Sequence, residues 1–196
     1  MADRRVERGE ATRERLLDAG RKLFGERGYD ATSIEALLEE SGVTRGSLYH
    51  HFSTKQELFD AVLDLLVAEI SQAAAEAAAH QTEPLASLRA GFSEWLRMAL
   101  DPAVQRIALL DAPAVVGWTR LRELDERHTL GGLRASIARL ATDGRVPPGQ
   151  VDMLTHMMLA SVNEAALMIA RADDPKAALA SGLDAVDLLL DRLAGR

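Results

Sequence analysis

The sequence predicts an all-α fold, and three observations carry that expectation. Alanine and leucine dominate a chain that is 47% apolar but only 4% aromatic, a composition that favours helices over strands. No run alternates valine, isoleucine and threonine with polar residues as a strand would. The stretch after Thr54 continues for over twenty residues without glycine or proline, at helical spacing. At 196 residues there is room for one large or two small domains with a buried core, in about nine helices.

Residues 1–10, MADRRVERGE, carry Arg4, Arg5 and Arg8 among acids and lack an apolar face, so they read as a mobile, solvated arm. From Thr12 the character changes. Leu16, Leu17, Ala19, Gly20, Leu23 and Phe24 form a helical stripe that ends between Gly25 and Gly28. Ser33 is placed to cap a second helix with Ile34, Leu37 and Leu38 on one face, and Ser41-Gly42-Val43 interrupts it. Gly42 takes a positive φ without a Cβ clash, and Thr44 can cap a third helix, RGSLYHHF. Thr54, with Glu57 three residues on, forms a capping box for the fourth helix, which extends to about His80.

After the break at Gln81–Pro84, Leu85, Leu88, Phe92, Trp95, Leu96 and Leu100 lie along one side of a fifth helix. Asp101 and Pro102 mark a short sixth, to about Leu110. Pro113 starts a helical region reaching Ala141, either broken near Gly131-Gly132 or tightly packed there. The loop Asp143–Gly149 precedes two final helices, Val151–Ala172 and Pro175–Ala194. Leu179, Leu183, Val186, Leu190 and Leu193 make an apolar stripe that Leu188-Leu189 widens. That face suits either a fully intrachain core or a second copy, whose hairpin would complete a four-helix bundle.

Two short helices joined by a glycine-containing turn, then a third held across them, have the layout of a helix-turn-helix whose second helix enters the DNA major groove. Between Glu40 and Glu57 no carboxylate occurs, while Arg45, His50, His51 and Lys55 fall in that window. A surface free of acids avoids repulsion by phosphates, which supply most of the affinity of a DNA binder. The net charge of −7 is unevenly spread: residues 1–55 hold ten basic and ten acidic side chains, leaving 13 and 20 for the rest. An acidic body would approach DNA with its locally basic head foremost. The charged arm is then able to reach a minor groove.

Geometry assigns roles within the third helix. Leu48 and Phe52, four apart, share the buried face. Arg45, Gly46, Ser47 and His50 occupy the other side near the N-terminus, the end that meets base edges in this docking mode. An arginine there donates two hydrogen bonds to N7 and O6 of guanine, and Gly46 lets the backbone approach closely. Lys55 sits in the first turn of the fourth helix, whose terminus adds partial positive charge. Tyr49 is by chemistry alone also compatible with a core.

Leu23-Phe24, Gly28-Tyr29-Asp30-Ala31-Thr32-Ser33-Ile34, Ser41-Gly42-Val43, Gly46-Ser47-Leu48-Tyr49-His50-His51-Phe52 and Lys55-Gln56-Glu57-Leu58-Phe59 form a dense, ordered pattern over residues 10–62. It resembles the DNA-binding domain of the tetracycline-repressor (TetR/AcrR) family of bacterial transcription regulators. The resemblance implies a helix-turn-helix domain over residues 1–54 and a ligand-sensing, dimerising domain over 55–196. It also implies phosphate contacts at Thr32, Ser33, Thr44, Tyr49, His51 and Lys55. A weaker likeness to one C-terminal subtype lies in Leu110-Asp111-Ala112-Pro113-Ala114 and Trp118.

For the body, the resemblance implies a small-molecule effector, and Phe92, Trp95, Met98, Trp118 and Met157, with Asn163 and Glu164, are the candidate pocket residues. The bland alternative is plain core. Buried Asn163 or Glu164 would need hydrogen-bond partners. The implied partners are a palindromic double-stranded operator and a second copy joined through the last two helices. No cofactor, metal site or catalytic residue is expected. There are no cysteines, no phosphate-binding glycine loop and no nucleophile elbow, and His50 and His51 diverge by about 100° on a helix, too far to chelate together. The N-terminus lacks a signal-peptide core and no membrane contact is expected, so a cytoplasmic regulator is anticipated. A helical-bundle enzyme or carrier is the alternative from another class, and a regulator switched by a protein partner, or one that activates, is nearer.

Overall fold

A computed structural model describes residues 2–193, with side chains from Gly9 onward, and among these residues it is all-α. Ten α-helices run in order: α1 (Ala2–Arg27), α2 (Ile34–Ser41), α3 (Arg45–His51), α4 (Lys55–Ala79), α5 (Pro84–Met98), α6 (Ala112–Val115), α7 (Gly117–His128), α8 (Leu130–Thr142), α9 (Val151–Arg171) and α10 (Pro175–Leu193). A π-helical stretch, Val104–Asp111, precedes α6 where a short α-helix was expected. Gly9 and Glu10 belong to α1, ahead of the expected start at Thr12; the side chains of the rest of the arm placed over residues 1–10 lie outside the described residues.

The expected caps close the N-terminal helices. Ser33 accepts from the Ala36 amide at 3.1 Å, and Thr44 from that of Ser47 at 3.3 Å. Gly42 takes φ 62° at the end of α2, and its amide donates to the Leu38 carbonyl at 3.0 Å. Thr54 accepts from the Glu57 amide at 3.0 Å, the first half of the expected box; Glu57 reaches back one residue further than the box requires, accepting from the Ser53 amide at 2.7 Å rather than from that of Thr54.

The chain forms two compact units, residues 1–66 with 102–118, and 67–101 with 119–196. In the first, Leu16, Leu23 and Phe24 of α1, Leu37 of α2, Leu48 of α3, Leu58, Phe59 and Leu63 of α4, and Ile107 of the π-helix are all buried. The π-helix packs on α1, so segment 102–118 joins the N-terminal elements, although in sequence it falls within 55–196. Two glycines permit that approach. A Cβ at Gly25 would lie 2.9 Å from the Ala103 Cβ, and Gly28, at φ 81°, faces the Arg106 guanidinium.

In the second unit Leu88, Phe92 and Leu96 of α5, Ile137 and Leu140 of α8, Met158, Val162, Ala166 and Ile169 of α9 and Leu190 of α10 fill the core. Arg89 bridges α5 to α10 through Asp187 at 2.5 Å and Asp191 at 2.9 Å. The long helical region expected from Pro113 to Ala141 is divided into α6, α7 and α8. The breaks fall at Val116, just before Gly117 with φ 77°, and at Thr129, close to the expected Gly131-Gly132. The doublet itself lies in the first turn of α8, just past the break, with open space where Cβ atoms would stand, so it is not a site of tight packing.

Segment Pro148–Arg171 has the length and mean hydropathy, 1.3, of a membrane span. The two sides of α9 explain this composition. Thr155, Met158, Leu159, Val162, Ala166 and Ile169 face the core, while Met153, Met157 and Met168 stand exposed on the other side.

Candidate nucleic-acid interface

Burial divides α3 as its spacing predicts. Leu48 is fully buried and Phe52 nearly so, which pins α3 against α1 and turns Arg45, Gly46, Tyr49 and His50 outward. Tyr49 is 45% exposed, which removes the core reading of this ring. Ser33 and Thr44 are exposed at the N-termini of α2 and α3, and Ser47 is half-buried. Thr44 and Ser33 spend their hydroxyl oxygens as acceptors in caps, but each hydroxyl proton remains a donor suited to a phosphate oxygen.

His51 is partly buried at the end of α3. Burial lowers its pKa below the usual histidine range, and the neighbouring His50 and Arg13 add to the effect. Neutral at pH 7, His51 offers a phosphate one N–H rather than a full charge. Arg13 on α1 lies 5.7 Å from the centre of the Phe52 ring, bringing a cation to the same end of α3.

Two of the residues expected at phosphates are turned inward. Thr32 is fully buried, and its hydroxyl donates to the Gly28 carbonyl at 2.7 Å and to that of Leu23 at 3.2 Å. This hydroxyl closes the C-terminal end of α1 and has no path to DNA. The Lys55 ammonium donates to the Tyr29 carbonyl at 2.8 Å and the Thr32 carbonyl at 2.9 Å, and stands 4.1 Å from the centre of the Tyr29 ring. Two of its three donors are committed to the link between α1 and α2.

Tyr29 itself was not singled out from the sequence. Its ring stacks edge-on against Phe59 at 5.2 Å and tilts against Phe24 at 6.0 Å, and its amide donates to the Asp111 carboxylate at 2.7 Å. Asp111 also faces Arg106 at 3.4 Å. Nothing in local spacing links residues 29 and 111.

The candidate pocket residues of the body separate. Phe92 is buried, Trp95 and Met98 are half-buried, and the Trp95 indole N–H donates to Asn163 at 2.9 Å, the partner that a recessed asparagine needs. Met157, at 56% exposed, Trp118, at 73%, and Glu164 lie on the surface; Trp118 moreover belongs to the first unit. A hollow of about 260 Å³ beside α1 is lined by Arg15, Asp18, Ala19, Lys22, Glu40 and Ser41 and contains none of the seven. Asp125 on α7 is a recessed acid: burial, opposed by Arg122 and His156 and reinforced by Glu126, pushes its carboxyl up to about 6.

Known proteins resemble both parts of the chain. Residues 16–62 match the model of bacterial regulatory proteins of the tetR family, and residues 85–193 match the tetracyclin repressor-like C-terminal domain. The TetC protein of transposon Tn10 from Escherichia coli is 25% identical over 148 residues, 76% of this chain and 75% of that one. The HTH-type transcriptional regulator AcrR of Shigella flexneri is 33% identical over 90 residues, 45% of this chain and 42% of its own length. Among solved structures, a TetR-family transcriptional regulator from Pectobacterium atrosepticum aligns with TM-score 0.82 and 35% identity, covering 95% of this chain and 96% of that one. The regulator FadR from Bacillus halodurans shares the fold with TM-score 0.74 at 15% identity, covering 91% and 93%. With an exposed α3 held on a buried leucine and phenylalanine, and with both halves of the chain matched, this protein belongs to the tetR family of bacterial transcriptional regulators and carries its DNA-binding domain in residues 16–62.

Proposed function

We propose that the protein is a cytoplasmic homodimeric repressor that leaves a palindromic operator when its body binds a small molecule. The observation that carries the DNA half of this reading is the outward face of α3, where Arg45, Gly46, Tyr49 and His50 stand clear of the buried Leu48 and Phe52. Arg45, Ser47 and His50 read base edges, and Ser33, Thr44, Tyr49 and His51 hold phosphates. The exposed apolar sides of α9 and α10, with Met153, Met157, Met168, Leu188 and Leu189, support pairing through the last two helices. Each head then occupies one half-site, with half-sites about one helical turn, roughly 34 Å, apart.

Phe92, Trp95, Met98 and Asn163 are the retained candidates for contact with an effector, Trp95 and Asn163 acting as a ready-made polar pair. A chain of the same fold, RolR, was solved with resorcinol, and FadR from Bacillus subtilis with stearoyl-CoA, which supports an organic effector here. The effector needs only to bind the DNA-incompetent state better by a few kcal/mol. Sequencing of genomic DNA recovered on the protein, followed by binding assays on the enriched sites, tests the reading. Wild type should select a two-fold-related site, and Arg45→Ala should lose sequence preference as well as affinity. Recovery of unrelated sequences, or an Arg45→Ala protein with full preference, would sink it.

A further inference from the structure

Glu35, in the first turn of α2, accepts a hydrogen bond from Arg45, the first residue of α3, at 2.5 Å across ten residues of sequence. Both side chains are open to solvent, Arg45 at 53% and Glu35 at 71%. An ion pair so exposed adds little to folding, so stability does not account for it. Its location matters more: it joins the N-terminal turns of the two helices of the motif, at the end of α3 that meets base edges. Within residues 41–54, Arg45 is the single arginine or lysine. Glu35 is thus a carboxylate beside the N-terminal end of α3 whose charge is cancelled by an arginine suited to bidentate contact with guanine.

A guanidinium has five N–H donors, and the contact to Glu35 takes one, leaving enough for N7 and O6 of a guanine. A free arginine side chain samples many rotamers, whereas one tethered to a short, fixed helix turn is already ordered before DNA arrives. The carboxylate accepts only, so it also repels phosphate wherever Arg45 is drawn away from it. We propose that Glu35 is a specificity-determining positioning residue: it holds the Arg45 fork toward guanine and, by its negative charge, weakens binding to sequences that lack that base. This rests on the assignment of Arg45 as a base reader.

The experiment selects duplexes of randomised sequence on the wild-type protein. It then measures affinity, at fixed salt, for the enriched duplex and for copies carrying 7-deazaguanine at each guanine in turn. That analogue lacks the N7 acceptor. Wild type should lose affinity about tenfold at one guanine per half-site, the scale of a bidentate contact. In Glu35→Ala this loss should shrink by about threefold or more while affinity for unrelated duplex rises. Glu35→Gln, which keeps an acceptor oxygen, should restore most of the guanine effect without the wild type's exclusion of unrelated DNA. In the Arg45→Ala background, Glu35→Ala should change affinity for all sequences alike. An unchanged guanine effect in Glu35→Ala overturns the proposal, as does an equal loss of preference in both backgrounds, which would make Glu35 a reader itself. A guanine effect that survives Arg45→Ala instead refutes the reader assignment, so the two failures are distinguishable. Both side chains are exposed, so the variants should melt with the wild type.

Discussion

Lys55 ties the corner from which α2 starts. Its ammonium gathers the Tyr29 and Thr32 carbonyls at 2.8 and 2.9 Å, the link that delivers the chain into α2. Lys55→Ala leaves both carbonyls without this donor and should cost about 1–2 kcal/mol in a thermal or urea melt. The slope of log affinity against log salt separates this role from a phosphate contact: it should stay as in wild type, whereas a lost phosphate contact lowers it by about 1. Asp125 makes a prediction of opposite sign. The folded state holds its proton up to about pH 6, while an unfolded chain releases it near 3.8. Between those values the native state binds more protons, so this group's contribution to stability falls as pH rises. Asp125→Asn should therefore match wild type below pH 4, and gain on it up to about pH 6. Above that, it should stay more stable by roughly 2 kcal/mol in parallel denaturant titrations.

Among elements, the π-helix Val104–Asp111 decides what packs beside α1. Its wider turn occurs where Ile107 is buried and where Asp111 reaches the Tyr29 amide at 2.7 Å, while Arg106 stands over Gly28. The register of this stretch therefore holds the same corner that Lys55 holds from α4. Gly25 tests the fit. An added methyl would lie 2.9 Å from the Ala103 Cβ and 3.1 Å from its Cα, and since part of the obstacle is backbone, it cannot swing aside. Gly25→Ala should destabilise the protein by about 1–3 kcal/mol despite its better helix propensity, as measured by a thermal melt. A gain in stability would show that segment 102–118 does not pack on α1 as described.

For the whole molecule, the unused surface is the outer side of α9 and α10. Met157 and Leu188, 56% and 62% exposed, stand with Met153, Met168 and Leu189 on helices whose other sides already fill a core. Met157→Glu combined with Leu188→Glu removes apolar burial and sets charges into the proposed seam. Sedimentation should shift from dimer to monomer at micromolar concentration, and binding to a two-half-site operator should fall by at least tenfold while single half-site binding is retained. A monomeric wild type at that concentration would end the dimer proposal.

Helix content, the caps at Ser33, Thr44 and Thr54, the glycine turn at Gly42 and the buried pair Leu48–Phe52 were all legible in the sequence, because each depends on neighbours within four residues. The same local logic failed where helices run long. The break near Gly131-Gly132 falls at Thr129, but the one at Val116, before Gly117, was not expected. Only the tertiary structure could bury the Thr32 hydroxyl, commit two Lys55 donors to internal carbonyls, join residues 29 and 111, and set Glu35 against Arg45. The physical reason is range. Caps, turns and periodicity are decided by backbone geometry over one or two turns, but a lysine's choice between a phosphate and a carbonyl depends on which distant backbone the packed core brings within 3 Å.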